Sequence, residues 1–402
     1  MVNRPSGKLN LAALLTAVDD APPVAAVDVL GECLGGAIGA REVSFLIADF
    51  SGQALVRLGH GNGAAATRAQ GRETGERVGL AGSPQGRALA TQAVERETSA
   101  EGTRLFAPVT NRGEAIGVLE LRLDEPPDEQ TMADVALAAQ ALAYVIIANR
   151  RFTDLFEWGQ RSVPLSLAAE IQHRLLPAAY TCEAGQFTLA GWLEPAGDVG
   201  GDTFDFSIER DTLHISMTDA MGHEVGAALL ATLLVGALRN ARRSGVALGE
   251  QVRRANADLT DNVTDGRFVT GQVARIDLRT GTAAIVNAGH PPPLRLRGGR
   301  VEPVRLTPDP PFGTLRDHAY EVQRLPLEPG DRLFFFTDGI LERNATAVDI
   351  EAMLLAGAKM HPREAVQHLI QPILEVTDGA LNDDATALCL DWHGGSRRER
   401  TT

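Results

Sequence analysis

The sequence is short of cysteine, of aromatic residues and of positive charge. Its three cysteines, Cys33, Cys182 and Cys389, are scattered over 402 residues. Their odd number and the lack of any CxxC spacing argue against a disulfide framework or a zinc site, and they read as small buried residues in a reducing compartment. Thirty-eight Lys and Arg against 52 Asp and Glu leave a net charge of −14. Such a balance disfavours nucleic acid and anionic membrane surfaces as partners and excludes the basic groove of a nuclease. The longest apolar stretch, Val135 to Ala148, falls short of the roughly 18–20 residues of a bilayer crossing. Arg4 and Lys8 precede an apolar run from Leu9 to Val18, but Asn10 interrupts it and no small-residue cleavage site follows, so a cytoplasmic location is expected. Gly59-His60-Gly61-Asn62-Gly63 matches no phosphate or dinucleotide loop and reads as plain loop.

With 44% hydrophobic and 22% charged residues, the composition is that of a folded globular chain. Its length suggests two or three domains of ~150 residues each. Residues 9–39 read as two helices broken at Ala21-Pro22-Pro23, followed by a hairpin through Val43–Ile47 and Gln53–Leu58. Ser83-Pro84 opens a short helix, and Thr103–Val109 pairs with Ala115–Leu123 around Asn111-Arg112-Gly113. Asp128 caps a helix expected to reach Trp158, roughly 45 Å at 1.5 Å per residue. After Pro164, Leu167, Ile171 and Leu175 form a second amphipathic stripe. Beyond Tyr180 come strands at Phe187–Leu193, Phe204–Ile208 and Leu213–Asp219, then helices at Val225–Arg243 and Leu248–Val263. The first of these helices is apolar almost all round and is expected to lie buried between layers. Further strands fall at Arg267–Ile276, Ala283–Asn287, Tyr320–Leu325, Leu333–Thr337 and Ala385–Trp392, with two helices between the last pair. The predicted class is α+β, with a C-terminal sandwich of antiparallel sheets covered by helices.

The chemistry concentrates in Gly197–His223 and in two distant partners. Aspartates stand at strand ends beside small residues three times: Gly201-Asp202, Asp219-Ala220-Met221-Gly222 and Asp338-Gly339. Asp383-Asp384 opens the last strand. A strand fixes such a carboxylate while small neighbours let carbonyls and waters approach, which suits a hard cation, and oxygen-only donors favour Mg²⁺ or Mn²⁺ over zinc. Two carboxylates ~4 Å apart repel by about 4 kcal/mol at an effective dielectric of 20, so the cluster requires a counter-charge. Two divalent ions meet that need and suit phosphate-ester hydrolysis. His223 invites a role as general acid, since a free imidazole titrates at about pH 6.5, and a structural or substrate-facing role is the alternative. His223-Glu224-Val225-Gly226-Ala227 is not the HExxH of a zinc protease. Asp205 is read as a support of the metal site, His290 as structural, and Arg239, Arg242 and Arg243 as a solvated helix end.

Two resemblances organise these observations. The order of helices and hairpins over residues 20–150, with LFAPVTNRGEAIGVLEL, resembles a GAF domain. That implies a six-stranded antiparallel sheet between helices, serving either as a small-ligand pocket or as a dimerisation and docking module. The segments EPAGDVGGDTFDF, DAMGHEVGAALL, VNAGHPPPLRL, FFFTDGILERN and DDATALCLDW resemble the SpoIIE-type branch of the PPM metal-dependent serine/threonine phosphatases across residues 165–393. EIQHRLLPA resembles the switch helix that precedes that domain. The implied organisation is a sensory domain at 1–150, a helical linker and switch helix at 151–179, a phosphatase domain at 180–393 and a disordered tail at 394–402. The resemblance makes Asp202 and Asp219 ligands of an Mn²⁺ or Mg²⁺ pair, with the Ala220 carbonyl, and sets Asp338 and Asp383 on the outer side. Asp384 stands where many relatives carry Asn and ranks second to Asp383 as a metal ligand, and Glu224 stands where they carry Gly. The implied substrate is a phosphorylated regulatory protein such as an anti-sigma-factor antagonist, and the linker implies a homodimer. A phosphatase-like scaffold without turnover is the alternative.

Overall fold

The computed structural model describes residues 9–50, 52–58, 76–161, 165–194, 200–263, 265–340, 349–376 and 383–394. Arg4, Lys8, the glycine loop at 59–63, Pro164, residues 197–199 of the aspartate-rich segment and the tail beyond 394 lie outside them. The chain divides into two compact units, Met1–Pro164 and Leu165–Thr402.

In the first unit, α1 (Leu11–Asp20) is capped by Asn10, whose side chain accepts from the Ala13 N–H, and Pro22-Pro23 separate it from α2 (Ala26–Ile38). Strands β1 (Arg41–Ala48), β2 (Ala54–Leu58), β3 (Arg77–Gly79), β4 (Glu95–Ser99), β5 (Gly102–Asn111) and β6 (Glu114–Leu123) form one antiparallel sheet in the order β3-β2-β1-β6-β5-β4. Arg112 and Gly113 both adopt positive φ in the two-residue turn joining β5 to β6, as a tight hairpin requires. Helix α3 (Pro84–Thr91) begins at Ser83, whose hydroxyl accepts from Gly86. The apolar faces of α1, α2 and α4 (Glu129–Asn149) bury Leu30, Leu34, Val135 and Leu142 against Phe45, Leu105 and Leu119 of the sheet.

Helix α4 differs from the expectation. It ends at Asn149, about 32 Å long at 1.5 Å per residue, and a break precedes the short α5 (Leu155–Gln160), which packs on β1 and β2. It is also longer than the apolar stretch read from the sequence. Both α4 and a later helix, Glu224–Arg243, are long and apolar enough to cross a membrane, and half of the most apolar stretch of each is buried inside the protein.

The second unit opens with α6 (Leu167–Leu175), capped by Ser166. Its buried face carries Ala168, Ala169, Gln172 and Leu175, whereas Leu167 is exposed, so the buried stripe is rotated from the one expected. Strands β9 (Asp202–Ile208), β10 (Thr212–Ala220), β11 (Val269–Asp277), β12 (Thr282–Ala288) and β15 (Gln323–Pro326) form a five-stranded sheet. A six-stranded sheet contains β7 (Thr181–Glu183), β8 (Phe187–Glu194), β13 (Leu294–Arg297), β14 (Arg300–Pro303), β16 (Arg332–Phe336) and β17 (Ala385–Trp392), in the order β14-β13-β16-β17-β8-β7. Every strand pairing in both sheets is antiparallel.

Strand alternation puts Phe204, Leu213, Ile215, Met217, Ala274, Ile276 and Ile285 on the inner face of the first sheet. Phe187, Leu189, Leu333, Phe335, Leu388 and Leu390 meet them from the second. Outside the five-stranded sheet lie α7 (Glu224–Arg243) and α8 (Leu248–Asn262), and outside the other lie α9 (Ile350–Ala356) and α10 (Pro362–Val376). Helix α7 is covered on one side only: Leu229 and Leu233 remain 53% and 41% exposed, which corrects the expectation of burial between layers. The β13–β14 hairpin was not anticipated. Three prolines precede it and Gly298-Gly299, both at positive φ, turn it, so its strands are too short to show alternation.

Candidate active site

At one end of the sandwich the inner faces change from apolar to polar. The alternation that buries Met217, Ile215 and Leu213 carries on to Asp219, and that of Phe204 carries back to Asp202. These two aspartates stand directly opposite each other in the β9–β10 register. On the facing sheet the same alternation extends Phe335 to Thr337 and Leu388 to Thr386. Both threonine hydroxyls donate to Asp202 Oδ2 at 2.6 Å. The carboxylate of Asp202 is thus gripped across the gap between the sheets.

Burial, and then the nearby charges of Asp219 and Asp384, push the Asp202 carboxyl well above the usual carboxylate range, while the two hydroxyls oppose the shift. Asp384 is also buried. Its Oδ2 accepts from Gln172 Nε2 at 2.6 Å, from the Gly201 N–H at 3.2 Å and from the Asp202 N–H at 3.4 Å. Gln172 Nε2 also donates to the Asp202 carbonyl at 2.8 Å. Asp384 therefore braces the Gly201-Asp202 backbone, as an amide oxygen at this position would. Asp383 is less buried, and one of its oxygens accepts from the Asp384 N–H at 2.9 Å.

Two glycines permit the approach of the segments. A side chain on Gly201 would meet the Ala220 carbonyl oxygen at 2.6 Å, and one on Gly339 would meet the Asp384 carbonyl oxygen at 2.0 Å. The first contact keeps the Ala220 carbonyl beside the Asp202–Asp219 pair. The second brings the 3₁₀ turn Asp338–Ile340, with Asp338 exposed at its start, against the Asp383-Asp384 segment. Asp202, Asp219, Asp338, Asp383 and Asp384 thus gather at one end of the fold.

The donor set is all oxygen, and the charge around Asp202 is negative, with no ion pair to Asp202 among the described residues. Both properties fit hard divalent cations, with Asp202, Asp219, the Ala220 carbonyl, Asp338 and Asp383 as the residues that would hold them. Among the described residues no three Asp, Glu, His or Cys side chains are grouped so that they alone would enclose one ion. Backbone oxygen and water would have to complete any coordination, as is usual for magnesium.

His223 stands exposed at the N-terminus of α7, with 75% of its side chain accessible, four residues after Asp219. Its neighbour Glu224 adopts φ 60, the left-handed conformation that favours glycine, and its Oε1 lies 3.8 Å from His223 Nδ1.

Asp205 and its arginines depart from expectation. Three residues after Asp202, Asp205 falls on the opposite face of β9, beneath α7. Arg239 donates to both of its oxygens at 2.9 and 3.1 Å, Arg242 donates to Oδ2 at 3.0 Å, and Arg239 also reaches the Leu175 carbonyl. Asp205 does not support the acidic end, and Arg239 and Arg242 are not a solvated helix end; Arg243 is exposed. Gln172 was missed altogether. The available signal was a lone amide on the buried side of an otherwise apolar stripe.

Residues 209–393 match the family model of Stage II sporulation protein E (SpoIIE). The chain is 22% identical over 240 residues to phosphoserine phosphatase RsbU of Bacillus subtilis, covering 56% of this chain and 69% of RsbU. It is 24% identical over 215 residues to phosphoserine phosphatase RsbP of the same organism, covering 52% of each chain. Among solved structures, the PP2C phosphatase domain of SpoIIE from Bacillus subtilis, with a fragment of its regulatory domain, is 20% identical with a TM-score of 0.47, covering 53% of this chain and 66% of that one. The family match thus spans the second unit from Glu209 to His393, a little under half of the chain. Asp219, Asp338, Asp383 and Asp384 lie within the matched span, while Asp202 precedes it and is joined to it by the β9–β10 pairing.

Proposed function

We propose that the chain is a metal-dependent protein phosphatase that hydrolyses phosphoserine or phosphothreonine on a regulatory protein, with two Mn²⁺ or Mg²⁺ ions held at the acidic end of the sandwich. The observation that carries this reading is the buried Asp202, opposite Asp219 and beside Asp384, with hydroxyls as its only side-chain donors among the described residues. Bound ions supply the counter-charge of the phosphoryl group and a hydroxide-like water. Asp202 and Asp219, fixed on paired strands, hold that chemistry in place. The threonines keep Asp202 in one rotamer. His223 protonates the departing seryl or threonyl oxygen from the rim: the bond from that oxygen to phosphorus breaks, the water oxygen bonds to phosphorus, and no phosphoenzyme forms.

The phosphoserine phosphatases RsbU and RsbP support a partner-switching substrate, which we take to be a phosphorylated anti-sigma-factor antagonist. We read the first unit as a GAF-type regulator that binds a small ligand or docks a partner, supported by its six-stranded antiparallel sheet flanked by helices. The exposed Tyr144 and Phe152 support a homodimer through residues 128–177, and three free cysteines support a cytoplasmic location. A scaffold without turnover is the second reading. It draws on the left-handed Glu224 and on the brace that occupies an Asp384 oxygen.

The deciding assay is release of phosphate from a phosphoserine-bearing antagonist protein, with Mn²⁺ and with EDTA. Release that requires Mn²⁺ and disappears in Asp219→Asn is expected. Metal binding without release would favour the scaffold, and metal-independent release would overturn the proposed centre.

A further inference from the structure

One buried titratable group at the polar end has no part in the hydrolytic scheme. His290 is 3% exposed, and its ring lies between the two sheets. Nδ1 is 2.9 Å from Thr270 Oγ1, and Thr270 stands directly opposite Asp219 in the β10–β11 register. The Asn287 side chain fixes the other end of the residue by accepting from the His290 N–H at 2.9 Å.

The chain changes sheets here. β12 belongs to the five-stranded sheet and β13 to the six-stranded one, and His290-Pro291-Pro292-Pro293 makes the crossing. Leu294 pairs with Phe334, so continuing the antiparallel register by two residues places Pro292 opposite Phe336. Proline has no N–H, and the strand therefore offers the Phe336 carbonyl no donor from that position. The Phe336 backbone instead adjoins the His290 ring. Nε2 is buried and, among the described residues, has the Phe336 backbone beside it without a well-aligned hydrogen bond, so that interaction is a loose one. Phe336 directly precedes Thr337, which grips Asp202, and Asp338.

We infer that His290 is a positioning residue, a strut whose two ring nitrogens join Thr270 on one sheet to the Phe336 carbonyl on the other and so set the gap across which the carboxylates face each other. This rests on the reading of that end as a cation-binding phosphatase centre. Divalent cations held at the acidic end, where Asp219 and Asp338 would be among the ligands, would favour the approach of the same two segments that the ring spans. The strut and the cation thus favour one spacing, and each strengthens the other. The triple proline has a role in this arrangement, because it leaves the carbonyl to the ring.

The test uses the full chain and Mn²⁺ alone, read by calorimetric titration and by the rise in melting temperature on adding Mn²⁺. Thr270→Val, which keeps the volume and the ring but removes the hydroxyl, and His290→Ala should each weaken Mn²⁺ binding by about ten- to a hundredfold, the usual range for groups that orient ligands. His290→Gln, which keeps a donor for Phe336, should recover most of that loss. In turnover assays the Mn²⁺ concentration for half-maximal rate should rise while KM for the phosphoprotein stays the same, a split that simple loosening of the core would not give. If His290→Ala fails to fold, Thr270→Val decides. Variants that bind Mn²⁺ like the wild type would overturn the strut while leaving the centre intact. A wild-type chain that takes up no Mn²⁺ would overturn the centre and the strut with it.

Discussion

Asp202 and Asp205 lie three residues apart on one strand, both almost fully buried, and their surroundings could hardly differ more. Asp205 faces the helices and receives two arginines, so its charge is neutralised by the protein itself. Asp202 faces the interior of the sandwich, receives two neutral hydroxyls and is flanked by further aspartates. A buried charge that the fold compensates is structural. One that it leaves uncompensated marks a place where something else must bring the opposite charge.

The sharpest way to test this contrast is to neutralise each side chain. Asp202→Asn should lower metal-dependent phosphate release by more than about a hundredfold, since a fixed ligand is lost. It should leave the metal-free melting temperature equal or higher, because a buried repulsive charge has gone. Asp205→Ala should do the reverse, lowering stability by about 3–5 kcal/mol by stranding Arg239 and Arg242 with no partner. Denaturant unfolding in EDTA separates the two: a larger stability loss for Asp202→Asn than for Asp205→Ala would break the comparison.

Strand periodicity made part of this legible. Asp202 and Asp219 were identified because each ends a readable strand beside small residues, and the last strand, Ala385–Trp392, was read to the residue. The same period of two would have placed Asp205 on the other face, and the three-residue spacing of Arg239 and Arg242 on one helix would have supplied its partners. What could not be read were relations set by distant segments. Gln172 reaches Asp384 across 212 residues, and the lone amide in its apolar stripe does not say which distant segment it meets. The end of α4 at Asn149 was missed because helical periodicity continues through residues that pack differently. Similarly, the preference between Asp383 and Asp384 turned on family position, whereas the structure distinguishes them by burial and by the Gly201 and Asp202 amides that Asp384 receives.

His290 extends the contrast to pH. Burial pushes its imidazole down to about 4 from an ordinary value near 6.5. The fold therefore favours the neutral ring: this stabilisation is complete above about pH 6.5 and is lost as pH falls toward 4. The shift corresponds to about 3 kcal/mol at 1.36 kcal/mol per pH unit. Unfolding free energies measured across this window should fall less steeply in His290→Gln than in the wild type. Equal slopes would mean that the ring titrates without consequence.

The smallest expected effect lies at the rim. Glu224 holds a left-handed conformation at a cost of about 1 kcal/mol, so Glu224→Gly should raise the melting temperature by about 2–4 °C. If the side chain also steadies His223, the same variant should slow leaving-group protonation, seen as a lower kcat with little change in KM. A melting temperature that falls would show that the glutamate stabilises its loop.

The central claim is that the acidic end around Asp202, and not the arginine-bound aspartate behind it, receives divalent cations. Titration of the full chain with Mn²⁺, followed by calorimetry, tests it directly. The account expects saturable binding in the wild type and in Asp205→Asn, provided that variant remains folded, and its loss in Asp219→Asn. Undiminished binding in Asp219→Asn would contradict it.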